Sequence, residues 1–315
     1  MHTLEPELRA LHAEGTIDDA TASRALALDR GQVFSLHPEL RATLYAGVLL
    51  VMSGVGIILA RNLERIGPLA IVLAIALAAA ACAVPAVRAK LAGRPLTVAA
   101  DYLLLLAVLL VSADLAYAER QFTLLGSLWS WHLLLLAIFH AAIAYAFASP
   151  PVLAASLAAL AGWFGVGGTV GDVLHVSYSA PELGARALAC AAVIAAWRYA
   201  DRRARPDSRF SDVFDHFATN LAFWGAIAWC TEWPWLVAGL PLLALLSYAS
   251  VRHGLAKGRE IFLVYGTVYA ALGVCAAVLP HIHRTTPSMS FVLAVVSVAA
   301  AALWRLRRRL QEPDA

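Results

Sequence analysis

Charge is what this chain has least of. Asp, Glu, Lys and Arg make up 14% of its 315 residues, against about 25% in an ordinary soluble domain. A fully water-facing surface cannot be covered with so few polar groups, which excludes a soluble globular class. Cysteine is also scarce: Cys82, Cys190, Cys230 and Cys275 each stand alone inside an apolar segment. With no C-x-x-C pair, neither a disulfide framework nor a zinc knuckle is indicated, and the four read as small packing residues. The opening MHTLEPELRALHAEGTIDDA has no apolar stretch flanked by bases, so no cleavable signal peptide is expected. The glycine-rich GWFGVGGTVG lacks the Lys-Ser/Thr of a phosphate-binding loop. Neither AGW nor GTV is a nucleophile elbow. These absences point away from an enzyme and from a cofactor, and nothing indicates nucleic-acid binding.

Apolar residues fill the space that charge leaves. They account for 61% of the chain, and the mean hydropathy is +0.72. The apolar runs are rich in Leu and Ala, do not alternate, and repeatedly reach the ~20 residues that cross a bilayer core of about 30 Å. Inside lipid only a helix or a closed barrel satisfies its own backbone. The fold class expected is therefore all-α, a polytopic transmembrane bundle of about ten spans, near 42–60, 66–87, 99–118, 128–147, 151–168, 183–199, 214–232, 234–250, 260–279 and 288–304. The stretch 214–250 is too long for one span, so Pro234 in TEWPW is expected in a tight turn.

Basic residues test the count independently, because Lys and Arg concentrate on the cytoplasmic side. With ten spans, 19 of the 24 fall on the side shared by the two termini, including Arg88, Lys90, Arg94, Arg198 and the cluster from Arg202 to Arg209. Only Arg61, Arg65, Arg120, Arg186 and Arg284 fall on the other. Shifting by one span would scramble the partition, so both termini are expected to be cytoplasmic. The RYADRRARPDSR loop should lie against anionic lipid headgroups.

The chain divides into a cytoplasmic leader over 1–41, a transmembrane domain over 42–304 and a basic tail over 305–315. In the leader, EPELRALHAEG reads as a short helix ending at Gly15, and TIDDATASRALALDRG as a second, capped by Asp18 or Thr16 and closed by Gly31. Two helices this short cannot build a core alone. Residues 1–36 should dock on the membrane domain, on each other in a dimer, or on a partner protein.

The leader is followed by LYAGVLLVMSGVGIILARNLERIGPLA and then by QFTLLGSLWSWHLLLLA. In this order the chain resembles the bacterial predicted-membrane-protein family catalogued as domain of unknown function 2157, over roughly residues 4–165. ARNLERIGP is the best local marker, with Leu63 standing where the family pattern has an aromatic. The resemblance implies a bacterial inner-membrane location and a two-helix leader, and it implies no activity.

The stretch from Ser112 to His140 breaks the apolar pattern with Asp114, Glu119, Arg120, Gln121, His132 and His140. Treated as a hairpin centred near Thr123, it puts Asp114 and His132 at equal depth. They are expected to pair, because an unpaired intramembrane acid is costly, with Gln121 as a third partner. Two readings stay open: a polar clasp holding the hairpin, or a proton relay or solute contact involving His140. Glu119 and Arg120 are expected at the water boundary, and Trp129 and Trp131 as interfacial anchors.

In SDVFDHFATN, Asp212, His216 and Asn220 recur every four residues, forming either a vestibule lining or a helix start whose acids favour the dipole. On the outer side His175, His281 and His283 are weak metal candidates, solvated loop histidines being the default. Gly167 and Gly171 have the small-x-x-x-small spacing of close helix approach. The function expected is a non-enzymatic scaffold or accessory subunit. The alternative is a small-solute or proton-coupled permease whose path is lined by polar residues of the third, fourth and seventh spans.

Overall fold

The computed structural model of the chain describes residues 11–19, 21–23, 25, 37–62, 67–123, 131–166, 179–205, 208–282 and 285–311. Among these there is no strand. Ten α-helices are described from residue 37 onward among these residues: α1 His37–Asn62, α2 Pro68–Leu91, α3 Val98–Phe122, α4 His132–Phe147, α5 Pro150–Trp163, α6 Ala180–Ala204, α7 Ser211–Trp229, α8 Leu236–Lys257, α9 Glu260–Val278 and α10 Thr285–Gln311. Each coincides with one expected segment. Seven of them, α1, α2, α3, α6, α8, α9 and α10, are long and apolar enough to cross a membrane.

The other three fall short for different reasons. At 1.5 Å per residue, the 16 residues of α4 and the 14 of α5 cover roughly 24 and 21 Å of a core about 30 Å thick. Helix α7 is long enough at 19 residues, but it carries the Asp212, Asp215, His216 and Asn220 stripe along its first half.

Local chemistry sets the helix ends. The Thr97 hydroxyl accepts the Ala100 N–H at 3.2 Å to start α3. Ser149 caps α5, with prolines at the first two positions, where their missing N–H groups would be unpaired anyway. Glu182 reaches back to the Ser179 N–H at 3.3 Å to start α6. Gly258, at φ 64°, allows the reversal from α8 into α9. Pro234 lies in the turn that separates α7 from α8, its bond to Trp233 cis. In the leader, Gly15 has φ 71°, and the Asp18 carboxylate accepts the Thr21 N–H at 2.9 Å. The rest of the expected leader hairpin lies outside the described residues.

Packing is strongest between sequential neighbours: α2 with α3, α4 with α5, α6 with α7, and α8 with α9. One buried core runs from Val48 to Leu221 through α1–α7, and a smaller one joins α7, α8 and α9 around Phe223, Ala226, Leu243 and Ala277. Helix α1 leans on α3, and α10 on α9. Their apolar windows are 6% and 0% buried, so both present nearly their whole circumference outward, as lipid-facing helices do.

Two glycines bring α6 and α7 into backbone contact. A Cβ on Gly184 would lie 2.8 Å from the Gly225 carbonyl oxygen, and one on Gly225 would lie 2.8 Å from that of Gly184. Gly167 and Gly171 lie outside the described residues.

Candidate functional site

The polar side chains of the bundle interior meet in pairs between helices. His140 on α4 is 2% exposed, and its Nε2 lies 3.0 Å from Ser112 Oγ on α3. The Ser112 hydroxyl hydrogen is already donated to the Val108 carbonyl at 2.9 Å. His140 Nδ1 is buried with no hydrogen-bond partner.

This contact corrects the expected hairpin. The point halfway between Ser112 and His140 is residue 126, not Thr123, so Asp114 and His132 are not level. Among the described residues no hydrogen bond or ion pair joins Asp114 to His132, and Asp114 Oδ1 is buried without a hydrogen-bond partner. The assumption that failed was that α3 and α4 form a tight symmetric hairpin. Helix α3 packs chiefly on α2, and α4 on α5. His132 is the first residue of α4 and half-buried, and Gln121 is half-buried near the end of α3. Glu119, expected at the water boundary, is buried at 8% exposure. Trp131 is exposed and its ring lies 5.8 Å from that of Trp163; Trp129 lies outside the described residues.

The stripe on α7 meets a second stripe. Asp212 pairs with Arg259 at 2.6 Å, His216 Nδ1 lies 3.0 Å from Tyr265 Oη, and the Tyr269 hydroxyl donates to Asn220 Oδ1. Asn220 also donates to the His216 carbonyl at 2.7 Å, and His216 stacks on Phe262 with the rings 7° from parallel. Residues rise together along both helices, as they must for parallel neighbours. The side chains considered for a vestibule thus interlock α7 with α9.

Two further contacts went unread in the sequence. Tyr145 on α4 donates to Asp201 on α6 at 2.9 Å and accepts from Trp197 Nε1 at 3.1 Å. The Ser149 hydroxyl donates to Asp101 on α3. Their sequence signal was weak: Asp101 at the start of the third expected span, and Asp201 in the arginine-rich loop just beyond the sixth.

Two concavities open at the arginine-rich end. The smaller, about 190 Å³, lies among Arg198, Asp201, Arg202, Asp215, Lys257 and Arg259. Its charges are partly tied to each other, with Arg198 and Asp215 bonded at 2.8 Å. The larger, about 1140 Å³, lies among α1, α3, α5 and α7. Arg41, Tyr45 and Leu49 line it from α1, and Asp101, Leu105 and Leu109 from α3. From α5 come Pro150, Ala154 and Ala158, and from the turn before α7 and its first half Arg209, Val213 and Phe217. Each row steps by four residues, one helical turn, from a polar or loop end into an apolar interior. Lys90 and Arg94 complete the mouth. None of Asp114, Gln121, His132, His140, His216 and Asn220 lines either concavity.

The outer-face metal candidates do not gather within the described part of the chain. His281 is exposed in a turn at Leu279–His281, while His175 and His283 lie outside the described residues. Among the described residues no group of three or more His, Cys, Asp or Glu is placed to hold an ion.

No curated protein and no solved structure matches the chain. The match that does exist spans the leader from residue 9, helices α1 to α4 and the first turn of α5, close to the extent of the resemblance read from the sequence. Residues 9–153 match the family described as predicted membrane protein, domain of unknown function 2157.

Proposed function

We propose that this chain is a non-enzymatic scaffold or accessory subunit of the bacterial inner membrane, crossing it ten times with both ends in the cytoplasm. The observation that carries the reading is how the interior polar groups are used. Ser112 with His140, Asp201 with Tyr145, His216 with Tyr265 and Asn220 with Tyr269 each join two helices. Interhelical polar contacts of this kind hold a bundle together. A permease needs such groups along one path, and the large concavity is lined by none of the residues considered for that role. Helix α7 is counted as a span because omitting it alone would scramble the partition of basic residues, and the short α4 and α5 are counted as a pair, which leaves that partition unchanged. The leader supplies the docking element for a partner or a second copy.

The test compares the full chain with one lacking residues 1–36, each purified from native membranes in mild detergent and also reconstituted in vesicles. The scaffold reading expects a second species in fixed ratio that is lost with the leader, and no proton or solute flux. Flux that disappears on His140→Ala in a protein of unchanged stability would establish the permease instead.

A further inference from the structure

We propose that the large cavity binds one anionic phospholipid from the leaflet on the arginine-rich side. Its phosphate would sit among Arg41, Lys90, Arg94 and Arg209, with an acyl chain along Leu105, Leu109 and Phe217.

The charge at the mouth is one-sided. Four cations line the cavity against a single acid, Asp101, which already accepts from Ser149. The ion pairs among the described residues of the bundle are Arg198–Asp215, Arg259–Asp212 and Arg307–Glu260, and none uses a cation of the mouth. Lys90 instead sits 4.7 Å from the centre of the Phe147 ring. All four cations are exposed; Arg41 is near enough to Asp101 to feel its charge, and the mouth keeps a surplus of three positive charges for a ligand that arrives with negative charge.

Depth selects the kind of anion. From Arg41 to Leu49, from Asp101 to Leu109 and from Arg209 to Phe217 is eight residues each, roughly 12 Å along a helix. That is a little less than half of a hydrocarbon core about 30 Å thick, so the cavity serves one leaflet. Inorganic phosphate or a nucleotide would satisfy the mouth and leave the apolar interior unfilled. A zwitterionic lipid would fill the interior but bring its own cation to a cationic mouth. An anionic phospholipid matches both ends, because basic side chains at the membrane surface attract such headgroups. This site goes beyond the scaffold reading and holds whether or not the leader docks a partner.

The full chain, stripped of lipid in detergent, is titrated with phosphatidylglycerol or phosphatidylethanolamine, and bound lipid is counted by native mass spectrometry. We expect one phosphatidylglycerol retained in preference to phosphatidylethanolamine. Arg41→Gln with Arg94→Gln should weaken that retention roughly thirtyfold, the equivalent of about 2 kcal/mol. Arg41→Lys with Arg94→Lys should preserve most of it, which separates lost charge from lost fold. Ala158→Phe, placed in the apolar interior, should exclude both lipids. Equal retention of the two lipids, or no effect of the glutamine pair, would overturn the proposal. So would displacement of phosphatidylglycerol by millimolar inorganic phosphate. Much tighter lipid binding after deletion of residues 1–36 would make the leader the resident occupant and would also overturn it.

Discussion

Replacing Gly184 by alanine should loosen the close crossing of α6 and α7. The new Cβ would lie 2.6 Å from Trp229 Cδ1 and 2.8 Å from the Gly225 carbonyl oxygen. Both are well inside the ~3.5 Å at which atoms pack favourably, so α6 and α7 must part by several tenths of an ångström to clear the carbonyl and the Trp229 ring must also shift. Turning the ring breaks the hydrogen bond from Trp229 Nε1 to the Pro181 carbonyl at 3.0 Å. Overpacking of this kind costs about 1–3 kcal/mol, while alanine recovers up to about 1 kcal/mol of helix propensity. With that gain subtracted in full, a net loss of up to about 2 kcal/mol should remain. Gly54→Ala on α1 is the matched control, because a Cβ there meets nothing within 4 Å, and it should show no loss. Unfolding free energies from detergent-denaturant titration, followed by circular dichroism and tryptophan emission, give the difference directly. Gly225→Ala should behave like Gly184→Ala, and the double variant should lose less than the sum, because one separation of the helices accommodates both methyl groups. Gly184→Ala as stable as Gly54→Ala would refute the packing argument.

Three contacts make separate predictions. Ser112→Ala removes the Ser112–His140 hydrogen bond, and should cost on the order of 0.6 kcal/mol, as interhelical polar contacts in membranes do; the same denaturant titration reads it, and Asp114→Asn should leave that difference unchanged. Tyr145→Phe removes a donor from Asp201 and an acceptor from Trp197 together. It should cost about 1–3 kcal/mol and shift the Trp197 emission, which Trp197→Phe in the same background would identify. Tyr265→Phe and Tyr269→Phe should couple to His216→Ala and Asn220→Ala respectively in double-mutant cycles, while the crossed pairs should couple less; equal coupling in all four cycles would contradict the ladder.

Helix placement was legible in the sequence because its cause is local. A run of about twenty apolar residues must be helical in lipid wherever its neighbours are, and Ser149, Pro150 and Gly258 mark ends by backbone chemistry that needs no tertiary information. The Asp212, His216, Asn220 stripe was legible for the same reason. Its partners were not, because Tyr265 and Tyr269 read as apolar in a hydrophobic run, although they share the four-residue step. Asp114 and His132 were paired by assuming that a short connector makes a symmetric hairpin. The observed register, marked by Ser112 and His140, belongs to a packing in which α3 meets α2 and α5 and α4 meets α5. The close glycines escaped because Gly184 and Gly225 lie on different helices, whereas a small-x-x-x-small search looks along one. The cavity escaped for a related reason. Each of its rows is an ordinary turn-by-turn face, and only their convergence makes a cationic mouth above an apolar interior.

The account rests on an even number of crossings that leaves the arginine-rich ends on the side of both termini, and reporter fusions test this most directly. A cytoplasm-active fluorescent protein and a periplasm-active phosphatase are fused in turn after Gly93, Thr123, Ser208 and Thr231 and at the carboxyl terminus. The account predicts fluorescence at Gly93, Ser208 and the terminus, and phosphatase activity at Thr123 and Thr231. Phosphatase activity at the carboxyl terminus, or the same reporter active at Ser208 and Thr231, would contradict it.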